Sequence, residues 1–218
     1  MTRITSALLA VLLLASTVNA AKPIKLFNGK NLKGWTYFLV KPKVKMKDVW
    51  SVKDGILICK GKPGGYLATK KKYESFKLVV EWRWPKAPSN SGVLMRITGK
   101  PMMLPKCMEA QLKSGSAGDM YGFQNFKVNG DKKRFFENPK ALGHLRGVRK
   151  IQGAEKKAGK WNRYDITVNG PKVVLMVNGK KVNEAFGCDV LAGQIGLQSE
   201  GGEIHFRKVE LTPIKKKK

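Results

Sequence analysis

Acidic residues are scarce in this chain of 218 residues: 15 Asp and Glu stand against 43 Lys and Arg, which gives a formal net charge of +28 at pH 7. In a cytosolic protein such an excess would suggest nucleic acid as a partner. The lysines, however, occur in short runs without interleaved aromatic residues. The first twenty residues also have the pattern of a signal peptide for export. We therefore expect a solvated basic surface and no nucleic-acid partner, with polyanionic glycans as an alternative partner of that surface.

Cysteine and histidine are also few. Cys59, Cys107 and Cys188 are an odd number at wide spacing, which fits neither a dense disulfide framework nor a zinc motif. One bridge with one free thiol, or three buried free thiols, are both compatible with this spacing. His144 and His205 have no partner histidine at metal-ligand spacing. The sequence also lacks a glycine-rich phosphate loop, a nucleophile elbow and a metalloprotease helix motif.

Long apolar runs and helical periodicity are missing as well, apart from the first twenty residues. Residues 1–20 combine a basic start at Arg3, an apolar run over 7–15 and small residues at Val18 and Ala20. This pattern predicts a signal peptide cleaved after Ala20, and hence an exported periplasmic or extracellular protein. The run is shorter than the ~20 residues that a membrane span needs, so we expect no membrane span.

Short alternating segments separated by turn signals fill the rest of the chain. Asp54-Gly55 lies between two short apolar runs and predicts a β-hairpin, and residues 76–84 carry an apolar side chain at every second position. Many strands of this kind predict an all-β jelly-roll sandwich of two antiparallel sheets. We expect one domain over residues 21–214, followed by a basic tail over 215–218.

One stretch carries most of the candidate chemistry. If residues 81–121 form strands, alternation gives Glu81 and Arg83 one face of the first strand, Arg96 a face of the second, and Glu109 with Gln111 a face of the third. Five polar side chains would then converge on one patch, although each alone is more typical of a wet outer face. The glycine-rich basic segment 127–160, which carries His144, lacks periodicity and is expected to be a long loop over that face.

The order of motifs in the chain resembles the DUF1080 family, described as 3-keto-disaccharide hydrolases. The motifs that carry the resemblance are LFNGKNLKGW at 26–35, W-x-V-x-D-G at 50–55, NSG at 90–92, E-x-Q at 109–111, WN at 161–162, NG at 178–179, IGLQ at 195–198 and HFRKVEL at 205–211. The resemblance implies a concanavalin A-like jelly roll in an exported bacterial protein that processes or binds oxidised sugars. The sequence departs from the family pattern at Cys107-Met108, at AGDMY over 117–121 and at Lys208. The first two departures border the proposed pocket, so they bear on the identity of the substrate more than on the fold.

The resemblance also implies a reaction. A ketone at C3 acidifies the proton on C2, so that a base can remove it and expel the C1 oxygen, after which water adds to the enone. The hypothesis that follows gives Glu109 the role of base or acid and Arg96 with Arg83 that of electrostatic stabiliser. The remaining candidate site residues are Glu81, Asn90, Gln111, Tyr121 and His144.

Two alternatives stay open at this level. A divalent metal could replace arginine as the enolate stabiliser, with Glu109 or His144 as ligands. The protein could also be a non-catalytic glycan-binding module, since jelly rolls commonly serve as lectins and the fold does not determine function.

Overall fold

The computed structural model of the protein describes residues 21–215. The predicted signal peptide over residues 1–20 and Lys216 to Lys218 of the predicted basic tail lie outside the described residues. No helix within residues 21–215 is long and apolar enough to cross a membrane.

Within this range the chain forms one short helix and sixteen strands. Their bounds are β1 Ile24–Lys25, β2 Trp35–Leu39, α1 Met46–Val49, β3 Trp50–Lys53, β4 Ile56–Cys59, β5 Gly65–Thr69, β6 Phe76–Arg83, β7 Gly92–Thr98, β8 Lys106–Gln111, β9 Met120–Phe123, β10 Phe135–Asn138, β11 Leu145–Val148, β12 Asn162–Asn169, β13 Lys172–Val177, β14 Lys180–Ala185, β15 Gln194–Ser199 and β16 Ile204–Pro213.

Local turn chemistry explains several of these boundaries. Asp54 and Gly55 both adopt positive φ, at 50° and 73°, and join β3 to β4 with Lys53 opposite Ile56. Asn178 and Gly179 make the same kind of connection between β13 and β14, with φ of 49° and 81°. Two successive positive φ values match the twist of an antiparallel pair, and Asn-Gly and Asp-Gly tolerate them best. The hairpin predicted at Asp54-Gly55 is thus confirmed.

Two eight-stranded sheets make up the fold. The first sheet has the order β14-β13-β12-β6-β16-β4-β3, with β1 also paired to β16, and the second has the order β10-β11-β9-β8-β7-β15-β5-β2. Every strand pair in both sheets is antiparallel. The predicted concanavalin A-like jelly-roll sandwich is confirmed.

One apolar core lies between the sheets. Strand β6 contributes its alternate residues Phe76, Leu78, Val80 and Trp82, and the second sheet contributes side chains such as Met108 on β8. Each fully buried side chain of this size stabilises the fold by about 1.5–3 kcal/mol. A smaller apolar cluster lies on the other face of the second sheet and includes Cys107, Phe123 and Leu94 among its members. The second sheet is therefore covered on both faces, as its almost uniformly buried central strands require.

The three cysteines are all buried and free. Of the two arrangements that the spacing left open, three buried free thiols is the one present. Burial raises the pKa of Cys59 to about 11 and that of Cys188 to about 12, so these thiols stay protonated and behave as small apolar groups.

The expectation of an irregular loop over residues 127–160 is wrong in part. Strands β10 and β11 lie within this segment and extend the second sheet next to β9. The rings of Phe136 and Tyr121 meet edge to face at 5.9 Å, and the guanidinium of Arg149 lies 4.5 Å from the centre of the Phe136 ring. Aromatic packing therefore fixes strands whose polar, glycine-rich sequence shows no alternation.

Candidate active site

Strand β8 places two polar side chains on the outer face of the second sheet. Met108 and Ala110 point into the main core, so alternation turns Glu109 and Gln111 to the opposite face. Glu109 lies directly across from Tyr121 on β9, and Gln111 lies across from Gly92 on β7. These pairings position the candidate site at the centre of a rigid sheet.

A pocket of about 190 Å³ opens on this face. Its polar residues come from two strands, β8 and β9, and from the chain segments just before β7 and just after β15. The lining residues are Asn90, Leu104, Glu109, Gln111, Tyr121, Phe123, Leu142, Leu145 and Glu200.

Glu109 is the most deeply enclosed of these polar residues, with 2% of its surface exposed. Its carboxyl group leans across Gly92: a Cβ atom at that glycine would lie only 1.8 Å from Oε1 of Glu109. Among residues 21–215 no side chain or backbone group donates a hydrogen bond to this carboxyl. Burial without a donor raises the pKa of Glu109 well above its ordinary value, and the nearby Glu200 carboxylate raises it further. Its surroundings therefore favour the neutral form of the Glu109 carboxyl over the charged form.

Glu200 is a second pocket carboxyl that sequence reasoning missed. It directly follows β15 and forms an isolated antiparallel bridge with Asn90, which also lines the pocket. Partial burial raises the pKa of Glu200, while Lys113 and Asn90 act to lower it. The two carboxyls thus differ in environment, and Glu200 ionises more readily than Glu109. The sequence signal for it was its position two residues after the IGLQ motif, just past the end of a strand.

Gln111 presents a free hydrogen-bond donor to the pocket. Its Oε1 accepts hydrogen bonds from the backbone N–H groups of Leu112 and Lys113, at 2.9 and 2.8 Å. These bonds fix the orientation of the amide. Its Nε2 has no acceptor within residues 21–215, so it is available to a ligand.

Tyr121 is held in one orientation by its neighbours. Its hydroxyl contacts Oδ2 of Asp119 at 3.3 Å and accepts a hydrogen bond from Arg149 at 2.9 Å, while Asp119 and Arg149 also pair with each other at 3.2 Å. Burial and the Asp119 carboxylate raise the pKa of Tyr121 to about 12. The ring, stacked on Phe123 at 6.2 Å, offers an aromatic wall rather than a proton donor.

The predicted convergence of five polar residues is wrong for Glu81 and Arg83. Strand β6 belongs to the first sheet, where it pairs with β12 and β16. The core separates its outer face from the pocket, so these two side chains lie on the opposite surface of the protein. Alternation determined their face correctly but could not determine their sheet.

The prediction that Arg96 faces the same patch is also wrong. Arg96 is completely buried, and its guanidinium donates to the backbone carbonyls of Glu74, Gly170 and Asp189 at 2.5 to 2.9 Å. Its backbone is left-handed, with φ of 57°, at an irregularity in the pairing of β7 with β8. The left-handed residue interrupts the alternation of β7, and the side chain becomes a structural clamp between three loops.

His144 borders the pocket without lining it. Its Nε2 lies 2.9 Å from Glu137, and its Nδ1 lies 3.3 Å from Arg146. The neighbouring residues Leu142 and Leu145 do line the pocket, so the segment expected to cover this face reaches its rim. In the described part of the chain no group of three or more His, Cys, Asp and Glu side chains could hold a metal ion. Glu109 and His144 therefore belong to no such group within residues 21–215.

The sequence that forms this fold and pocket matches a known domain family. The 3-keto-alpha-glucoside-1,2-lyase-like domain matches residues 22–212. No curated protein matches the sequence.

Solved structures show the same fold. A candidate glycosyl hydrolase from Parabacteroides distasonis is 26% identical, with a TM-score of 0.62 over 88% of this chain and all of that one. The β-glucanase of Bacillus licheniformis is 14% identical, with a TM-score of 0.57 over 90% of this chain and all of that one. The carbohydrate-binding module CBM66 of Bacillus subtilis is 11% identical, with a TM-score of 0.56 over 81% of this chain and 93% of that one.

Proposed function

The chain belongs to the 3-keto-alpha-glucoside-1,2-lyase-like family and is a carbohydrate-active protein, and from this premise we propose that it is an exported enzyme that cleaves 3-keto-glucosides by elimination across C1 and C2 followed by hydration. The single observation that carries the proposal is the carboxyl pair formed by Glu109 and Glu200 in one pocket, with environments that separate their pKa values. Pairs of this kind commonly divide the roles of acid and base.

The two carboxyls suit the two proton transfers of an elimination. Glu200, the more readily ionised group, removes the proton from C2, whose acidity comes from the neighbouring C3 ketone. The C2–H electrons form the C1=C2 double bond, the bond from C1 to the glycosidic oxygen breaks, and Glu109 gives its proton to the departing oxygen. Water then adds to C1 and returns a proton to Glu109, while Glu200 returns a proton to C2. The net reaction is hydrolysis.

We assign to Gln111 the stabilisation of the enolate oxygen. Its Nε2 is free and its orientation is fixed by two backbone hydrogen bonds, so it can donate to the C3 oxygen as negative charge develops there. This replaces the stabilising role that the sequence suggested for Arg96 with Arg83. Tyr121 and Asn90 are assigned to positioning the sugar ring.

The pocket is small for a whole oligosaccharide. Its volume of about 190 Å³ falls below the ~300–1,000 Å³ typical of pockets that enclose drug-sized ligands. This size supports a site that takes the single oxidised ring and leaves the aglycone at the apolar rim of Leu104, Leu142 and Leu145.

A non-catalytic glycan-binding module is the second candidate function. The fold is shared with both a glucanase and a carbohydrate-binding module, and a fold of this kind does not determine activity. The aromatic and apolar rim of the pocket would suit a bound sugar without any reaction.

One incubation separates the two functions. The purified protein is mixed with a 3-keto-glucoside that carries a chromogenic aglycone, and both enone absorbance and aglycone release are followed. The proposal predicts turnover by the wild type and loss of turnover in Glu109→Gln, with a matching circular dichroism spectrum. Tight retention on the glucoside with no turnover would favour the binding module and refute the enzyme.

A further inference from the structure

The outer face of the first sheet carries a second cluster of functional side chains, which we call the arginine–tryptophan surface: Glu81, Arg83, Trp161, Arg163 and Arg207. Strands β6, β12 and β16 lie side by side there, with Glu81 directly opposite Arg163. A bulge between Phe206 and Lys208 lets Arg207 join the same cluster. The proposed reaction uses none of these residues, because the core separates them from the pocket.

Stacking and ion pairs fix the cluster in place. The guanidinium groups of Arg83 and Arg207 lie 4.7 and 4.6 Å from the centre of the Trp161 ring. Glu81 joins Arg207 to Arg163, with distances of 2.5 and 3.5 Å to their nitrogens. Arginines held by an aromatic ring and a carboxylate lose little side-chain entropy when they bind a further group.

Several donors in the cluster are unused. Within residues 21–215, Arg83 and Arg207 each donate only through Nε, to His205 and Glu81 respectively. Their terminal nitrogens, four in all, have no acceptor there. The side chain of Arg207 is 48% exposed, so an incoming group can reach its terminal nitrogens.

A hollow of about 440 Å³ lies beside these groups. Lys156, Arg163 and Arg207 line it with positive charge, against the carboxylates of Glu81 and Asp165. Terminal guanidinium nitrogens form forked pairs with planar or tetrahedral anions, in a geometry that lysine cannot reproduce. The net charge of +28 adds long-range attraction for a polyanion.

We propose that the arginine–tryptophan surface binds anionic polysaccharide through its sulfate or carboxylate groups, as a second carbohydrate site remote from the pocket. The carbohydrate class rests on the proposed function, while the anion chemistry rests on the free guanidinium donors. Such a site would keep the protein on a charged glycan while the pocket on the opposite face remains open to a small substrate.

The test must separate a built site from general positive charge. Affinities are measured at several salt concentrations for a sulfated oligosaccharide, an oligogalacturonate, an uncharged dextran oligosaccharide and a single-stranded oligonucleotide of equal charge. The key variant is Arg83→Lys with Arg207→Lys, which keeps the charge and removes the forked geometry. A second variant, Lys132→Gln with Lys133→Gln, removes two charges at exposed positions beside β10, in the other sheet.

The proposal predicts that the arginine-to-lysine variant weakens binding of at least one anionic oligosaccharide by about tenfold or more, since hydrogen bonds to charged groups commonly contribute that much. Weaker binding of the sulfated oligosaccharide would identify sulfate as the ligand group, and weaker binding of the oligogalacturonate would identify carboxylate. The Lys132 and Lys133 variant should change affinity far less, and the uncharged dextran should not bind.

Two results would overturn the inference. One is wild-type affinity in the arginine-to-lysine variant with an unchanged melting temperature. The other is an equal loss of oligonucleotide binding, which would mean that the surface recognises any polyanion. Turnover of a 3-keto-glucoside should be the same in both variants and the wild type, so failure of this inference can be distinguished from failure of the proposed enzyme.

Discussion

Substituting Glu109 by Gln should remove a large pH dependence from the stability of the protein. Burial and the neighbouring Glu200 raise the pKa of Glu109 well above the ordinary value of 4.5, so the folded protein retains this proton over a range in which the unfolded chain has lost it. In that range the folded state binds one proton more, and the free energy of unfolding falls by about 1.4 kcal/mol per pH unit. The stabilisation is complete below pH 4.5 and is lost as the pH rises through the folded-state pKa.

The assay is denaturant unfolding of the wild type and Glu109→Gln from about pH 4 to pH 9. Gln has nearly the same shape as Glu and carries no charge. The free energy of unfolding of the variant should therefore equal that of the wild type or lie below it at low pH, and it should exceed that of the wild type by a growing amount above pH 4.5. For a domain of this size each kcal/mol corresponds to about 2–4 °C in melting temperature. A difference between the two proteins that does not change with pH would refute the view that Glu109 is a buried neutral acid.

Three further predictions follow from the same contacts. Arg96→Met should cost about 3–5 kcal/mol of stability in denaturant unfolding, because it strips three loop carbonyls of their buried donor; lost turnover at full stability would instead indicate catalysis. Gly92→Ala should lower turnover sharply by displacing the Glu109 carboxyl, whereas Gly153→Ala, where a Cβ meets nothing within 4 Å, should leave it unchanged. Glu200→Gln should lower the pKa of Glu109 in a ¹³C NMR titration, since the carboxylate it replaces raises that pKa; an unmoved pKa would show that the two groups are not coupled.

Local alternation was sufficient to predict the strands that carry the site. Met108 and Ala110 must enter the core, so Glu109 and Gln111 had to face away from it together. Asn90, within the NSG motif, and Tyr121, at the end of the AGDMY segment, were also candidates from the sequence, and both line the pocket with Glu109.

Sheet membership could not be predicted by the same reasoning. Strand β6 pairs with β12 and β16, which lie roughly 80 and 120 residues further along the chain, and nothing in the residues around Glu81 records those partners. The prediction for Arg96 was wrong for a different reason. One residue with left-handed backbone in β7 interrupts the alternation of side chains between the two faces of the strand. Glu200 was missed because it follows a strand instead of alternating within one.

The central claim, elimination with proton transfer at C2, is tested most directly by running the reaction in D₂O and examining C2 of the released sugar by NMR. Elimination followed by hydration places a solvent deuteron on C2 once the proton taken up by Glu200 exchanges with D₂O, at a rate that exceeds the exchange of the free 3-keto-sugar. We predict deuterium at C2 in the product of the wild type, together with transient enone absorbance. A released sugar that retains its original C2 proton and forms without any enone absorbance would mean direct displacement at C1, and it would contradict the account.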